Sequence, residues 1–349
     1  MPGEFEPHAG TWMLWPCRAD TWRDDARPAE AAFAAVAEII AATEAVTVGV
    51  PPYRLERARA ALPATVRVLA LRSNDAWIRD VGPSVVVGPS GERRAVDWSF
   101  NAWGGAAHGL YPDWSDDDRV AAAVAAHEGM ARYRSPLVQE GGGLHCDGDG
   151  TLLVTAECVL SRGRNAGLGR AEAERLLVDY TGARTVIWLP EGVVEDETTG
   201  HVDNLLHLPA PGLVLLTWPD DPADPQAARS RAALEVLRST RDARGREFDV
   251  RRLPMPGPLR MTEAEAAGLL PGLGSKPRRA GDRLAGSYAN FYLANGRAIV
   301  PLLDPRTDEA ALRTIADALP DRTVIGVPAR EILLGGGNIH CITQQFPAG

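Results

Sequence analysis

Short apolar segments alternate with helical ones along the whole chain, and this alternation limits most strongly what it can fold into. Ala29 to Thr43 is Ala-rich with apolar side chains at helical spacing, and Ala45-Val46-Thr47-Val48-Gly49-Val50 follows it as a buried strand. The order then recurs. Arg54 to Leu62 reads as helix and Val66 to Leu71 as strand; Val85 to Val87 is a strand ending at the turn Gly88-Pro89-Ser90-Gly91. Asp117 to Glu128 reads as helix, Leu152 to Val154 as strand, Arg170 to Tyr180 as helix and Thr185 to Leu189 as strand. The last third gives strand Leu213 to Thr217, helix Ala227 to Thr240, strand Ala298 to Pro301, helix Asp308 to Leu319 and strand Thr323 to Val327. Strands interleaved with helices of this length predict an α/β protein. No linker splits the chain: the Pro-rich piece Leu253 to Leu259 and the segment Pro271 to Arg283 read as long loops. Strand–helix–strand units recur without a sequence repeat of fixed period.

Composition removes several function classes. A chain of 349 residues with 45% hydrophobic content has ample material for a large core. It has no apolar run of 18 residues, which argues against a membrane-spanning helix. The opening Met1-Pro2-Gly3-Glu4-Phe5-Glu6 is acidic and has no hydrophobic signal core, so a cytoplasmic location is expected. Cys17, Cys146, Cys158 and Cys341 form no CxxC pair, which suggests neither a disulfide framework nor a zinc knuckle. A net charge of -9 without a basic patch argues against nucleic acid and suits a cationic small molecule.

Five polar clusters interrupt the apolar pattern. In the last, Gly335-Gly336-Gly337-Asn338-Ile339-His340-Cys341-Ile342-Thr343-Gln344-Gln345, three glycines permit a tight turn and deliver one cysteine between polar neighbours, a candidate nucleophile. Asn74 to Pro83 contains Trp77 and Asp80 between two apolar strands. Gln139 to His145 sets Glu140 at a strand end before three glycines. Gly200-His201-Val202-Asp203-Asn204 places His201 and Asp203 on one side if the segment is extended. Ser287 to Tyr292 is aromatic and amide-rich. Each cluster alone has a structural explanation, such as a turn, a cap or a packed thiol. A cysteine, a histidine, a glutamate and two aspartates, nearly all beside glycine, form a catalytic set.

Several long strings of the chain carry a resemblance that runs from near the first residue to the last. Met1 to His8 with Thr11-Trp12-Met13-Leu14-Trp15-Pro16, Trp98 to Gly105, Asp196 to Asn204, Ala280 to Leu284 and Gly335 to Gln345 resemble the agmatine deiminases of the guanidine-modifying (pentein) superfamily. Gly143 stands where that pattern has serine, and Cys146 where it has valine. The resemblance implies one catalytic domain over residues 1–349, folded as a five-bladed pseudo-symmetric α/β propeller around a central site. It implies Cys341 as nucleophile, His201 as proton carrier oriented by Glu140, and Asp80 and Asp203 as partners of the guanidinium. The reaction implied is hydrolysis of agmatine to N-carbamoylputrescine and ammonia, a step toward putrescine, without metal or cofactor. Glu197, Asp196 and Trp77 are candidates for the amine end of the substrate, and Trp103 for a pocket wall. A homo-oligomer, dimer or higher, is left open.

Three other readings compete. A bacterial-type peptidylarginine deiminase would share the architecture and need an open cleft. A metal hydrolase using His201, Asp203, His340 and Cys341 fits no zinc spacing. A polyamine-binding protein would need the carboxylates but not the thiol.

Overall fold

The computed structural model describes residues 1–270 and 274–349. Among these, the strands form five separate sheets built on one plan. Each has a middle strand with an antiparallel neighbour on one side and a parallel one on the other. Arg93–Ser99 runs antiparallel to Ser84–Val87 and parallel to Ala131–Val138. Thr151–Thr155 lies between His145–Cys146 and Thr185–Leu189. Leu213–Trp218 lies between Leu206–Ala210 and Asp249–Pro254. Arg297–Leu302 lies between Tyr292–Ala294 and Thr323–Pro328. In the fifth sheet the two ends of the chain meet: His8–Leu14 pairs antiparallel with Gln344–Pro347 and parallel with Ala45–Val50, which Arg67–Ala70 extends.

Parallel neighbours cannot be joined by a tight turn, so each pair needs a crossover. The crossovers are the helices Arg27–Ala41, Leu55–Ala61, Val120–His127, Arg170–Thr181, Gln226–Ser239 and Asp308–Ala318. Arg27–Ala41 starts with Pro28 in its first turn, where the missing N–H costs nothing. It buries Ala29, Phe33, Val36, Ala37 and Ile40, the i, i+4, i+7 stripe of an amphipathic helix.

The expected strands Ala45 to Val50 and Thr185 to Leu189 appear with those bounds. Several strands escape the periodic reading, among them His8–Leu14, Arg93–Ser99, Ala131–Val138, Leu206–Ala210 and Asp249–Pro254. Ala131–Val138 and Asp249–Pro254 carry arginines and lie at sheet edges with many exposed residues, so burial imposes little alternation on them. The expected loop Leu253 to Leu259 is corrected at its start, because Leu253 and Pro254 end a strand. Of the loop expected over Pro271 to Arg283, residues 271–273 lie outside the described residues, and Arg283 forms an isolated bridge with Arg260. No helix among the described residues is long and apolar enough to cross a membrane.

Candidate active site

A turn precedes the antiparallel strand of every sheet, and each turn contributes a polar side chain. Asp80 stands in the short helix Ile78–Val81, ahead of Ser84–Val87. Glu140 and the turn Gly141–Gly143 come ahead of His145–Cys146. His201 and Asp203 belong to the turn Val202–Leu205, ahead of Leu206–Ala210. Asn290 leads into Tyr292–Ala294, and Cys341 into Gln344–Pro347. Loops held by rigid sheets are where catalytic groups concentrate.

The expectation of an extended His201–Asp203 segment is corrected. His201 has extended backbone angles, but Asp203 sits in a helical turn that His201 caps.

Cys341 is 3% exposed. Its Sγ lies 3.3 Å from Oδ1 of Asn290 and 3.8 Å from Oδ2 of Asp203. Its backbone N–H donates to the same Asn290 oxygen at 3.3 Å. The glycines before it are needed for close approach. Gly336 has φ +105, a left-handed value that suits glycine. A β-carbon on Gly337 would lie 2.6 Å from the Trp77 ring and 3.1 Å from the Cys341 sulfur. Burial, Asp203 and Asp80 together push the Cys341 thiol well above its ordinary range. In the unliganded site Cys341 is therefore a neutral thiol at neutral pH.

His201 is fully buried, with Nε2 at 3.2 Å from Oε2 of Glu140. Arg164 donates through Nε to both Glu140 oxygens at 2.9 Å and through Nη2 to the Thr198 carbonyl at 2.5 Å. Burial raises the Glu140 carboxyl, but Arg164 and His201 outweigh it and hold the group below its ordinary range. Burial opposes charge on His201, yet Asp80, Cys158 and Glu140 raise its pKa well above the usual imidazole value. His201 is thus an imidazolium aligned by the Glu140 carboxylate, an arrangement able to donate a proton. Its Nδ1 has no hydrogen-bond partner and lies 3.8 Å from Oδ1 of Asp80.

Asp80 and Asp203 differ in their support. Asp80 accepts the Trp103 indole N–H at 2.9 Å and the Gly142 N–H at 3.0 Å. Burial pushes its pKa to about 6, with Asp203 and Glu140 adding to the rise and His201 opposing it. Asp203 receives His340 Nδ1 on Oδ2 at 2.8 Å, while its Oδ1 is buried and unpartnered. Burial raises the Asp203 carboxyl, but the His340 hydrogen bond and charge hold it below the ordinary range. A β-carbon on Gly142 would sit 2.6 Å from His201 Nδ1, 2.8 Å from Asp80 Oδ1 and 3.0 Å from Asp203 Oδ2. Both carboxylates and the imidazole therefore converge on the space above one glycine, as a planar cation with several N–H donors requires.

Trp77 and Trp103 line a narrow cavity together with Asp75, Tyr111, Glu197 and Arg278. The Trp77 indole donates to Asp75 at 3.0 Å. Trp103 does more than line a wall, because its N–H holds Asp80. Its backbone, with Ala102 before it, is left-handed at φ +61 and +54, strain that the surroundings enforce at this site. Glu197 reaches the same cavity, but its carboxylate is paired with Arg278, whose Nε donates at 3.1 and 3.2 Å and whose Nη2 donates at 2.5 Å. Asp196 turns away from the cavity, accepting the Thr198 hydroxyl at 2.8 Å and the His201 backbone N–H at 3.1 Å.

Sequence reasoning did not select Asn290, Arg164 or Glu4, and weighed His340 only as a metal ligand. Asn290 lay in a cluster already noticed. Nothing near Arg164 or Glu4 in sequence points to Glu140 or His340, since those contacts span 24 and 336 positions. Among the described residues, the one group of three donors close enough to share a metal is Glu140, Cys158 and His201, and Arg164 already occupies both Glu140 oxygens. It is not the set His201, Asp203, His340 and Cys341.

Three comparisons bear on this geometry. The sequence profile of the Porphyromonas-type peptidyl-arginine deiminase family matches residues 1–347. The curated "Putative agmatine deiminase" of Vibrio parahaemolyticus is 51% identical over 347 residues, covering 99% of this chain and 96% of that protein. Its counterpart of the same name from Pectobacterium atrosepticum is 52% identical, covering 99% and 94%. Among solved structures, the agmatine deiminase of Enterococcus faecalis superposes with a TM-score of 0.96 at 40% identity, over 100% of this chain and 95% of that one.

Proposed function

The chain belongs to the Porphyromonas-type peptidyl-arginine deiminase family and stands with the agmatine deiminases, and from that premise we propose that it hydrolyses agmatine to N-carbamoylputrescine and ammonia. The observation that carries the proposal is the convergence of Asp80, Asp203 and His201 above Gly142, with the Cys341 sulfur 3.8 Å from Asp203.

Asp80 and Asp203 accept the guanidinium N–H groups and fix its carbon against Sγ. The arriving cation offsets the carboxylates that keep the thiol protonated, so Cys341 releases its proton to solvent as substrate binds. The thiolate attacks the carbon. His201 gives its proton to the departing nitrogen, which leaves as ammonia, and an S-alkylthiouronium remains on Cys341. His201 then takes a proton from water. The water oxygen attacks the same carbon, the C–S bond breaks, and the ureido product departs.

Burial of the whole constellation favours a small free guanidine over an arginine inside a peptide, since Cys341 is 3% exposed and Asp80, Glu140, His201 and Asp203 are buried with it. The five sheets with one strand plan support a five-bladed pseudo-symmetric propeller, and a single catalytic domain over residues 1–349. The test is ammonia release from agmatine, arginine and a blocked arginine ester, side by side. Preference for the ester would favour the peptidylarginine reading instead.

A further inference from the structure

His340, adjacent to the proposed nucleophile, is used by no step above, yet it is among the most constrained side chains near the site. Its Nδ1 lies 2.8 Å from Oδ2 of Asp203, and its Nε2 lies 2.8 Å from Oε2 of Glu4. Arg79 donates to that Glu4 oxygen at 3.0 Å and, through Nε, to the His340 carbonyl at 3.2 Å. The other Glu4 oxygen accepts the Leu293 N–H at 2.9 Å. All four side chains are buried, with relative exposures from 0% to 4%.

We propose that Glu4 and His340 are positioning residues for Asp203, holding its carboxylate ionised and fixed in orientation beside the guanidinium. The proposal rests on the reading of Asp203 as a substrate carboxylate. Its physical basis is the contrast with Asp80. Asp80 accepts hydrogen bonds from two neutral donors, with the His201 imidazolium 3.8 Å away and not hydrogen-bonded to it, whereas Asp203 is bonded directly by an imidazole wedged between two carboxylates. An imidazole so placed carries both its protons and is a cation. Burial and Arg79 oppose that charge, but Glu4 and Asp203 outweigh them and raise the His340 pKa. His145 and His207 also face it, with ring centroids at 6.0 and 5.9 Å, and burial depresses both, so neither competes as a cation. His340 engages Oδ2, the Asp203 oxygen that lies nearest Gly142 and the Cys341 sulfur, and so fixes that oxygen at the convergence point. The arrangement leaves one of the two guanidinium carboxylates charged at pH values where the other is half protonated.

His340→Ala removes both the hydrogen bond and the charge. His340→Asn keeps a donor near the Nδ1 position without the charge. Glu4→Gln leaves an acceptor for His340 but no longer favours its cation. Ammonia release from agmatine is followed across pH for all three, with agmatine binding measured by calorimetry in a Cys341→Ser background and thermal unfolding of each. We expect His340→Ala to raise KM by more than about tenfold, with a smaller fall in kcat. Its acidic limb of kcat/KM should move upward by about one pH unit and steepen, because two carboxyls then titrate in one range. His340→Asn should recover part of the KM while keeping the displaced limb, and Glu4→Gln should move the limb the same way by less. Folded variants with a wild-type limb and wild-type agmatine affinity overturn the proposal, as does lowered thermal stability without either change. If His340→Ala does not fold, the limb and affinity of Glu4→Gln decide. An inactive wild type would instead sink the functional reading, whereas an active wild type with insensitive variants sinks only the role of His340.

Discussion

Of the two carboxylates proposed to hold the guanidinium, Asp80 is the one whose pKa is raised toward neutrality. Its pKa of about 6 in the free protein means that it is protonated, and a poorer acceptor for a cation, below that pH. The kcat/KM for agmatine should therefore fall about tenfold per unit below roughly pH 6, since this parameter reports the free enzyme. The kcat limb should lie lower, because bound guanidinium holds Asp80 ionised. Stopped-rate ammonia assays across pH check both, and coincident limbs would assign the titration elsewhere. Cys341→Ser should abolish turnover with the fold intact, as a serine hydroxyl scarcely ionises. Mass spectrometry of wild type quenched during turnover should find the thiouronium on the Cys341 peptide. Glu197 requires a subtler test than simple removal, because Arg278 neutralises it. Glu197→Gln leaves the Arg278 cation uncompensated beside an incoming cation and should raise KM by about tenfold. Adding Arg278→Met should restore most of it. If the double variant stays impaired, Glu197 contacts the substrate amine directly.

The turns that carry these side chains are as demanding as the side chains themselves. Gly142→Ala should eliminate guanidinium binding without unfolding the chain. Its methyl group would fall between His201 and both aspartates, while the glycine itself has no left-handed backbone. Calorimetry with agmatine and a circular dichroism melt separate these effects; retained affinity would mean that the cation binds off this convergence point. The turns also explain what was legible beforehand. Cys341, His201, Glu140, Asp80 and Asp203 stood out because each sits among glycines or polar residues between apolar strands. The helices and central strands stood out because burial imposes period on them. Arg-rich strands such as Asp249–Pro254 did not, because their exposed positions are free to vary. Arg164, Asn290 and Glu4 were hidden for another reason: their meaning lies in partners brought close only by the fold. The common strand plan of the five sheets was also invisible, since hydrogen-bond topology is kept without any repeat in sequence.

At the scale of the molecule, the pairing of His8–Leu14 with Gln344–Pro347 ties the first and last strands into one sheet. Deleting Gln344 to Gly349 should expose the edge of His8–Leu14, lower the melting temperature and broaden the transition, measured by calorimetry against the full chain. A sharp, unshifted transition would show that the pairing contributes little. The same pairing sets a timetable for biosynthesis. The strand His8–Leu14 has to wait until Gln344 to Pro347 have been translated before its antiparallel neighbour exists. Glu4 waits for His340 over the same interval, and the nucleophile Cys341 arrives with it. A chain stalled or released after residue 295 and before Cys341 therefore carries four of the five turns but lacks the Cys341 thiol, so on the proposed mechanism such unfinished copies form no covalent intermediate.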